Sequence, residues 1–292
     1  MLKRRDFLLL SGLTALTLPW GTLPAAEPKR ILYFDMATRC DHEPTVIQED
    51  GLSFCGRLIT RLGRELGFEV VCTKEGPVFE QDLSAYAAFV FYTCDDLTET
   101  KPGQLPLSAK GEQNLLAAIR DGAGFLGLHS TVWTWGQGGP ESKYQSGFNQ
   151  MLGGSVLIHG DQQETEVHFT EPVQLPSLQK RQAQSVRHFE EWYALTHFKK
   201  DIHVIMIQDT TGMQNTGFNE CYNRASYPCT WARMEGQGRV AYTSLGHDIA
   251  KLSSEFATGV VSDLLTFIVG KLDLDLTPNL GRVCPEVETL AE

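Results

Sequence analysis

Three of the eight histidines in this 292-residue chain stand in short loops that follow or end apolar runs. The loops read Thr38-Arg-Cys-Asp-His-Glu43, His129-Ser-Thr-Val-Trp-Thr-Trp135 and Leu245-Gly-His-Asp248. An imidazole changes charge near neutral pH, so three brought together can move protons, bind a metal ion or hold a sugar. Two of the loops set a carboxylate beside the histidine, and a carboxylate orients an imidazole in any of these roles. Trp133, Trp135 and Trp231 offer amphipathic faces of the kind on which a sugar ring stacks. Other chemistries lack their residues. The chain has no Cys-x-x-Cys and no Gly-x-Ser-x-Gly, and Gly236-x-Gly238 has no strand–Gly-x-Gly-x-x-Gly–helix context. A zinc knuckle, a thioredoxin-type site, a serine hydrolase and a dinucleotide site are therefore disfavoured. His168, His197 and His203 have no strand-end position and read as structural, and Glu190-Glu191 reads as a solvated charge pair on a strand.

Ile31–Met36, Phe68–Cys72, Ala87–Thr93 and Phe125–His129 are short apolar runs, which predicts buried strands. Between them, Leu52 to Leu66 carries apolar residues at helical spacing and stops at Gly67. Ser108 is placed to cap a helix running to Arg120. Strand and helix in alternation predict βαβ units and a parallel sheet. In such a sheet ligands bind at the carboxyl ends of the strands, which is where the three histidine loops fall. Later, Glu164–Phe169 and His203–Gln208 read as strands. Trp231–Arg233 and Gly236–Ser244 read as a hairpin, and Ser254–Val269 reads as an amphipathic helix. From Asp273 the chain is acidic and contains proline, and reads as a loosely held tail.

Hydrophobic residues make up 42% and charged residues 21%, which fits a globular chain. Acidic residues outnumber basic ones 36 to 25, for a net charge of −11. That surface repels phosphate backbones, so a nucleic-acid partner is not expected. At the start, Lys3-Arg4-Arg5 precedes an apolar run from Phe7 to Leu18 and small residues at Ala25-Ala26, the order of a secretory signal. Arg4-Arg5-Asp6-Phe7-Leu8 resembles a twin-arginine export signal. The run is too short to span a membrane. The expectation is an exported protein, periplasmic or extracellular, with residues 1–26 removed and no membrane span afterwards. Three cations and one acid leave with that segment, so −11 becomes −13. Seven cysteines are an odd number. Cys72 and Cys94 read as small buried hydrophobes, while Cys221 and Cys229 flank a short loop and could pair in an oxidising compartment.

Four strings, in order, carry a family resemblance: Arg39-Cys-Asp-His-Glu43, Gly124-Phe-Leu-Gly-Leu-His-Ser130, Glu190-Glu-Trp-Tyr193, and the long run from Trp231 through Gly238-Arg-Val-Ala-Tyr-Thr-Ser-Leu-Gly-His-Asp248. The sequence resembles the ThuA-like (trehalose-utilisation) family of the class I glutamine-amidotransferase-like superfamily over about residues 30–270. The resemblance implies one α/β domain over 27–272, between the signal and a tail at 273–292. It also implies a flavodoxin-like fold: a doubly wound, mainly parallel sheet with helices on both faces. It implies a change of chemistry too. Amidotransferases carry a nucleophilic cysteine on the elbow after the fourth strand, and here His129 takes that place. Without a thiolate the glutaminase mechanism cannot start.

ThuA-like proteins are linked to the use of disaccharides whose glucose 3-hydroxyl has been oxidised to a ketone. The C–H beside that ketone is acidified. A base can remove the proton, and a cation or imidazole can steady the enolate. The resemblance implies His129 and His247 as base and acid, or as metal ligands, with Glu191 and Asp248 orienting them. It implies Arg39, His42, Ser130, Trp133, His159 and Tyr193 as sugar contacts. No cofactor is certain, and a divalent metal, zinc or manganese, is compatible with the residues. The implied partners are a small sugar and a sugar 3-dehydrogenase acting upstream. The family often shows His-Pro where this chain has His159-Gly160, and a second His-Pro where it has only His168-Phe-Thr-Glu-Pro172. Two other readings stay open: a non-catalytic carbohydrate-binding module, and a metal-dependent hydrolase of another small polar substrate.

Overall fold

The computed structural model describes residues 29–39, 41–99, 101–135, 146–215 and 221–290. The expected export signal and Cys40 lie outside the described residues. The first half alternates as its periodicity predicts: β1 (Arg30–Phe34), α1 (Phe54–Glu65), β2 (Glu69–Thr73), β3 (Tyr86–Phe91), α2 (Ala109–Arg120) and β4 (Gly124–Leu128). The second half runs α3 (Gly147–Leu152), β5 (Ser155–His159), β6 (Gln163–Phe169), α4 (Pro176–Gln179), β7 (Ser185–Glu190), β8 (Tyr193–Thr196), β9 (His203–Gln208), β10 (Tyr227–Glu235), β11 (Gly238–Thr243), α5 (Ile249–Leu252), α6 (Glu255–Ile268) and α7 (Leu280–Val283). The longer helices begin on serine caps. Ser53, Ser108 and Ser254 accept the backbone N–H three residues on, which satisfies a donor the helix itself cannot.

Nine strands form one sheet in the order β2-β1-β3-β4-β11-β10-β9-β6-β7. From β2 to β11 neighbours are parallel. From β11 to β7 every neighbour is antiparallel. β5 and β8 form a separate antiparallel ribbon. Each antiparallel step reverses direction, so β7 runs the same way as β11. The end of β7 therefore arrives at the edge where β1, β3, β4 and β11 also end.

Side chains alternate across the sheet with period two. Ile31 and Tyr33 join the core layer of α1 and α6, while Leu32 and Phe34 join the layer of α2, α3 and α7. Helices thus cover both faces, and the α/β flavodoxin-like expectation holds for the parallel half. The hairpin expected near Gly236 is the β10–β11 pair. No described helix is long and apolar enough to cross a membrane.

Two expectations need correction. The tail is not loose. Asn279 bonds both backbone groups of Val204 through its side chain, at 2.7 and 3.0 Å. His203 Nδ1 meets the Thr277 carbonyl at 2.7 Å, and Leu280 and Cys284 are buried in the core. An acidic, proline-containing stretch is held because a few of its residues complete the edge of β9. Cys221 and Cys229 do not pair: both are buried free thiols. Cys229 lies on β10 inside the sheet, and burial pushes its thiol above the ordinary range.

Candidate active site

At the carboxyl edge of the sheet, four segments meet. His129 follows β4 directly. Its φ is +44°, a left-handed conformation that a side chain with a Cβ adopts only at a cost of about 1–2 kcal/mol. The turn swings the imidazole off the end of the strand, where it is fully buried. Its Nδ1 lies 2.8 Å from the Ser244 carbonyl. A carbonyl only accepts, so Nδ1 carries the proton and Nε2 offers a lone pair. The Tyr242 hydroxyl, donating to the His129 carbonyl at 2.8 Å, holds the backbone of this turn.

His129 Nε2 faces three groups. Tyr193 Oη is at 3.2 Å, His247 Nδ1 at 3.3 Å and Glu191 Oε2 at 3.4 Å. His247 Nδ1 is 3.0 Å from the same Glu191 oxygen. The other carboxylate oxygen, Oε1, is 3.4 Å from His159 Nδ1. Glu191 therefore stands between an inner imidazole pair and an outer one. His42 closes the group from the loop after β1. Its ring lies edge-on to those of His129 and His247, with centroids 5.0 and 5.3 Å away.

The charges respond to this crowding. Burial lowers the His42 pKa to about 3, helped by the neighbouring His129 and His247. Burial opposes ionisation of Glu191, but the neighbouring His129 and His247 outweigh it and hold the carboxyl well below its usual range. Burial disfavours protonated His247 as well, and Glu191 more than offsets this, so the His247 pKa is raised. The Tyr193 phenol is pushed up by burial and by Glu191, which keeps its proton available to His129.

One positioning residue escaped the sequence. Glu190 was expected to be solvated, but it is fully buried at the end of β7. Its carboxylate accepts the backbone N–H groups of Gly246 at 2.7 Å, Glu191 at 2.9 Å and His247 at 3.2 Å. It thus ties the end of β7, which Glu191 follows, to the loop that bears His247. Gly246 has a φ of +113°, where a glycine belongs. The Tyr92 hydroxyl donates to its carbonyl at 2.8 Å. On the far side, Glu43 Oε2 accepts the Ile249 N–H at 3.1 Å and joins the His42 loop to the same segment. The signal available was the Glu-Glu doublet at a strand end: neighbouring strand residues point to opposite faces, so both acids cannot share one environment.

The remaining predicted residues are distributed as follows. Asp248 caps α5, accepting the Lys251 N–H at 2.8 Å, and forms an ion pair with Lys251. Of the two carboxylates expected to orient the histidines, Glu191 is the one that meets the His247 ring. Arg39 forms an exposed ion pair with Glu99 at 3.5 Å. Ser130 is buried and its hydroxyl has no hydrogen-bond partner among the described residues. Trp133 is half-buried and packs edge-on against His159 and Tyr193, with both centroids at 5.9 Å. Trp231 is not a rim residue. It is fully buried, lies 4.4 Å from Tyr242 between centroids, and donates to the Leu152 carbonyl. A cavity of about 730 Å³ opens at the opposite, amino edge near Lys29, Tyr86 and Arg239, and none of the histidines line it.

A family model described as ThuA, trehalose utilisation, matches residues 30–263. The chain belongs to the ThuA family. Among solved structures, a protein described as ThuA-like from Bacteroides uniformis is 16% identical, with 86% of this chain and 97% of that one covered at a TM-score of 0.58. One from Parabacteroides merdae is 14% identical, covering 85% and 93% at a TM-score of 0.59. A cytoplasmic protein from Salmonella typhimurium is 14% identical, covering 82% and 99% at a TM-score of 0.52. At these identities the likeness concerns the fold. A search of curated proteins finds no significant match. ThuA membership ties the chain to carbohydrate use, and the carboxyl-edge cluster is where its four characteristic strings meet.

Proposed function

We propose that this ThuA protein is an exported enzyme of carbohydrate catabolism that acts on 3-keto-glycosides by removing the proton beside the ketone. That reaction needs two things: a base that can reach a sugar carbon, and a positive charge near the ketone oxygen to steady the enolate. Glu191 supports both. Its Oε2 faces His129 and His247, and its Oε1 faces His159. This shared carboxylate is the observation that carries the reading.

Access divides the roles. The His129 side chain is 0% exposed and that of His159 is 32% exposed. A base must approach the carbon it deprotonates, so His159 is the base. Its Nδ1 faces two acceptors, the Gly160 carbonyl at 3.0 Å and Glu191, which leaves Nε2 as the basic atom. His129, His247 and Glu191 form the inner site where positive charge is held beside the oxygen. Trp133, packed on His159 and Tyr193, supplies the face for a sugar ring. Loss of the proton and return of the electron pair expel the group β to the ketone, or the proton returns to give an isomer. A sugar 3-dehydrogenase upstream supplies the ketone.

Proton NMR of the protein with 3-keto-trehalose and a 3-keto-glucoside in deuterated water tests the reading. Exchange of the proton next to the ketone, or loss of the anomeric signal, is expected. Inertness of both substrates removes the enzyme reading and leaves a carbohydrate-binding module. Export is tested separately with residues 1–30 fused to a reporter: changing Arg4 and Arg5 to Lys is expected to abolish translocation, and unchanged translocation defeats it.

A further inference from the structure

We infer that His129, His247, Glu191 and His42 bind one divalent transition-metal ion, zinc by its geometry, and that this ion is the positive charge of the site. The inference rests on the keto-sugar reading for the ion's role, but not for its existence.

The donor atoms of these four residues all lie within 4.8 Å of one another. Three of the separations are 3.0, 3.3 and 3.4 Å. A tetrahedral zinc ion with bonds near 2.05 Å sets neighbouring donors about 3.3 Å apart. The rings give an independent check. A zinc-bound imidazole has its centre about 3.2 Å from the ion, so two such rings lie about 5.2 Å apart. The three centroid separations are 5.0 Å for His42–His129, 5.3 Å for His42–His247 and 5.3 Å for His129–His247. Three imidazoles at one spacing around a common point are what a central ion produces. Simple packing of aromatic rings tolerates anything from about 4.5 to 7 Å.

The supporting contacts agree. His129 donates Nδ1–H to the Ser244 carbonyl, the second contact that fixes a liganding imidazole and leaves its other nitrogen free. Glu190 fixes the backbone of both Glu191 and His247 through buried hydrogen bonds. Three nitrogens and one carboxylate suit zinc and its first-row neighbours. Calcium and magnesium favour all-oxygen sites. His159 touches Glu191 through the oxygen that faces away from His129 and His247, so it remains free to work as the base. The glutaminase elbow of the superfamily thus carries a metal ligand in place of a nucleophile.

The test is metal binding without sugar. The purified protein is stripped with chelator, titrated with zinc and with manganese, and its bound metal is counted. One zinc per chain is expected, with manganese weaker. Glu191→Gln and His129→Asn should each weaken zinc binding by at least about a hundredfold, beyond the range for residues that merely support ligands. His168→Asn, which alters the His168–Asp209 pair, should leave it unchanged. To guard against misfolded variants, cobalt is loaded into the unaltered protein, where the strong visible absorption of a four-coordinate ion is expected. Substoichiometric binding of both metals, the weak spectrum of fully hydrated cobalt, or zinc binding indifferent to both ligand variants overturns the inference. Zinc that binds while the keto-sugars stay inert keeps the metal centre and removes the sugar reading. Turnover by metal-free protein keeps the sugar reading and overturns the ion's role as the positive charge of the site.

Discussion

The parallel and antiparallel halves of the sheet contribute unlike things to one edge. The parallel half supplies imidazoles: His42 after β1, His129 after β4 and His247 after β11. The antiparallel wing and the ribbon supply the carboxylates and a fourth imidazole: Glu190 at the end of β7, Glu191 just after it, and His159 at the end of β5. Neither half holds the whole cluster alone. The imidazoles come from loops whose position follows from a general rule of parallel sheets. The carboxylate arrives only because successive antiparallel steps return β7 to the same direction as β11.

The sharpest way to break that comparison is Glu191→Gln. It keeps the shape but removes the charge that faces three imidazoles. Turnover of a keto-sugar is expected to fall about a thousandfold, the middle of the range for acid–base groups. A loss below tenfold would mean that the parallel half works without the wing.

Two tryptophans separate rim from core with nearly equal force. Trp231→Ala empties a fully buried site and is expected to cost about 3–5 kcal/mol of stability. Trp133→Ala, at a half-buried position, should leave thermal unfolding within about a degree or two and weaken sugar binding instead. Denaturant melts and substrate titrations of the two variants decide. Equal destabilisation would place Trp133 in the core and strip the site of its stacking face.

Glu190→Gln probes the joint between the halves. One carboxylate oxygen becomes an NH₂ group facing backbone N–H donors, at a cost of about 1–3 kcal/mol. Turnover is expected to drop about tenfold with KM nearly unchanged, since the group acts through Glu191 and His247. A loss of stability with full turnover would reduce Glu190 to a structural anchor.

The same division governs what could be read from the sequence. The strands and helices of the parallel half carry single periods and clear caps, so their alternation was legible, and with it the three histidine loops. The wing was harder. β7 is half-exposed along Ser185–Phe189, and β8 is only four residues long and wholly buried, so neither shows a clean alternation. Glu190 looked solvated because an acid in a sequence gives no sign of the backbone donors that surround it. Asp248 and Glu191 were both expected to orient the histidines, and the His247 ring meets the one from 56 positions earlier while its sequence neighbour caps α5. The tail was misjudged for a similar reason: composition reports average solvation, while Asn279 and Leu280 dock as individuals.

The smallest expected effect lies within the second half, away from the site. Arg233 is buried on β10 and forms paired hydrogen bonds to Asp201 at 3.0 and 2.9 Å, and it also binds Glu235. Partial burial by itself would raise the Asp201 pKa, but the guanidinium outweighs it and the pKa is lowered. A carboxylate held lower in the folded state gives stability that is complete above its unfolded pKa, near 3.9, and is lost as pH falls towards the folded value. Half of the Asp201 side chain is open to solvent, so screening limits this pair to about 1 kcal/mol or less. Unfolding followed from pH 6 to pH 3 should therefore weaken slightly less steeply in Asp201→Asn than in the unaltered protein. The carboxyl-edge chemistry, measured at pH 7, should be the same in both. A change in keto-sugar turnover in this variant would mean that the β10 ion pair is coupled to the site, and that the two halves are less separable than their topology makes them.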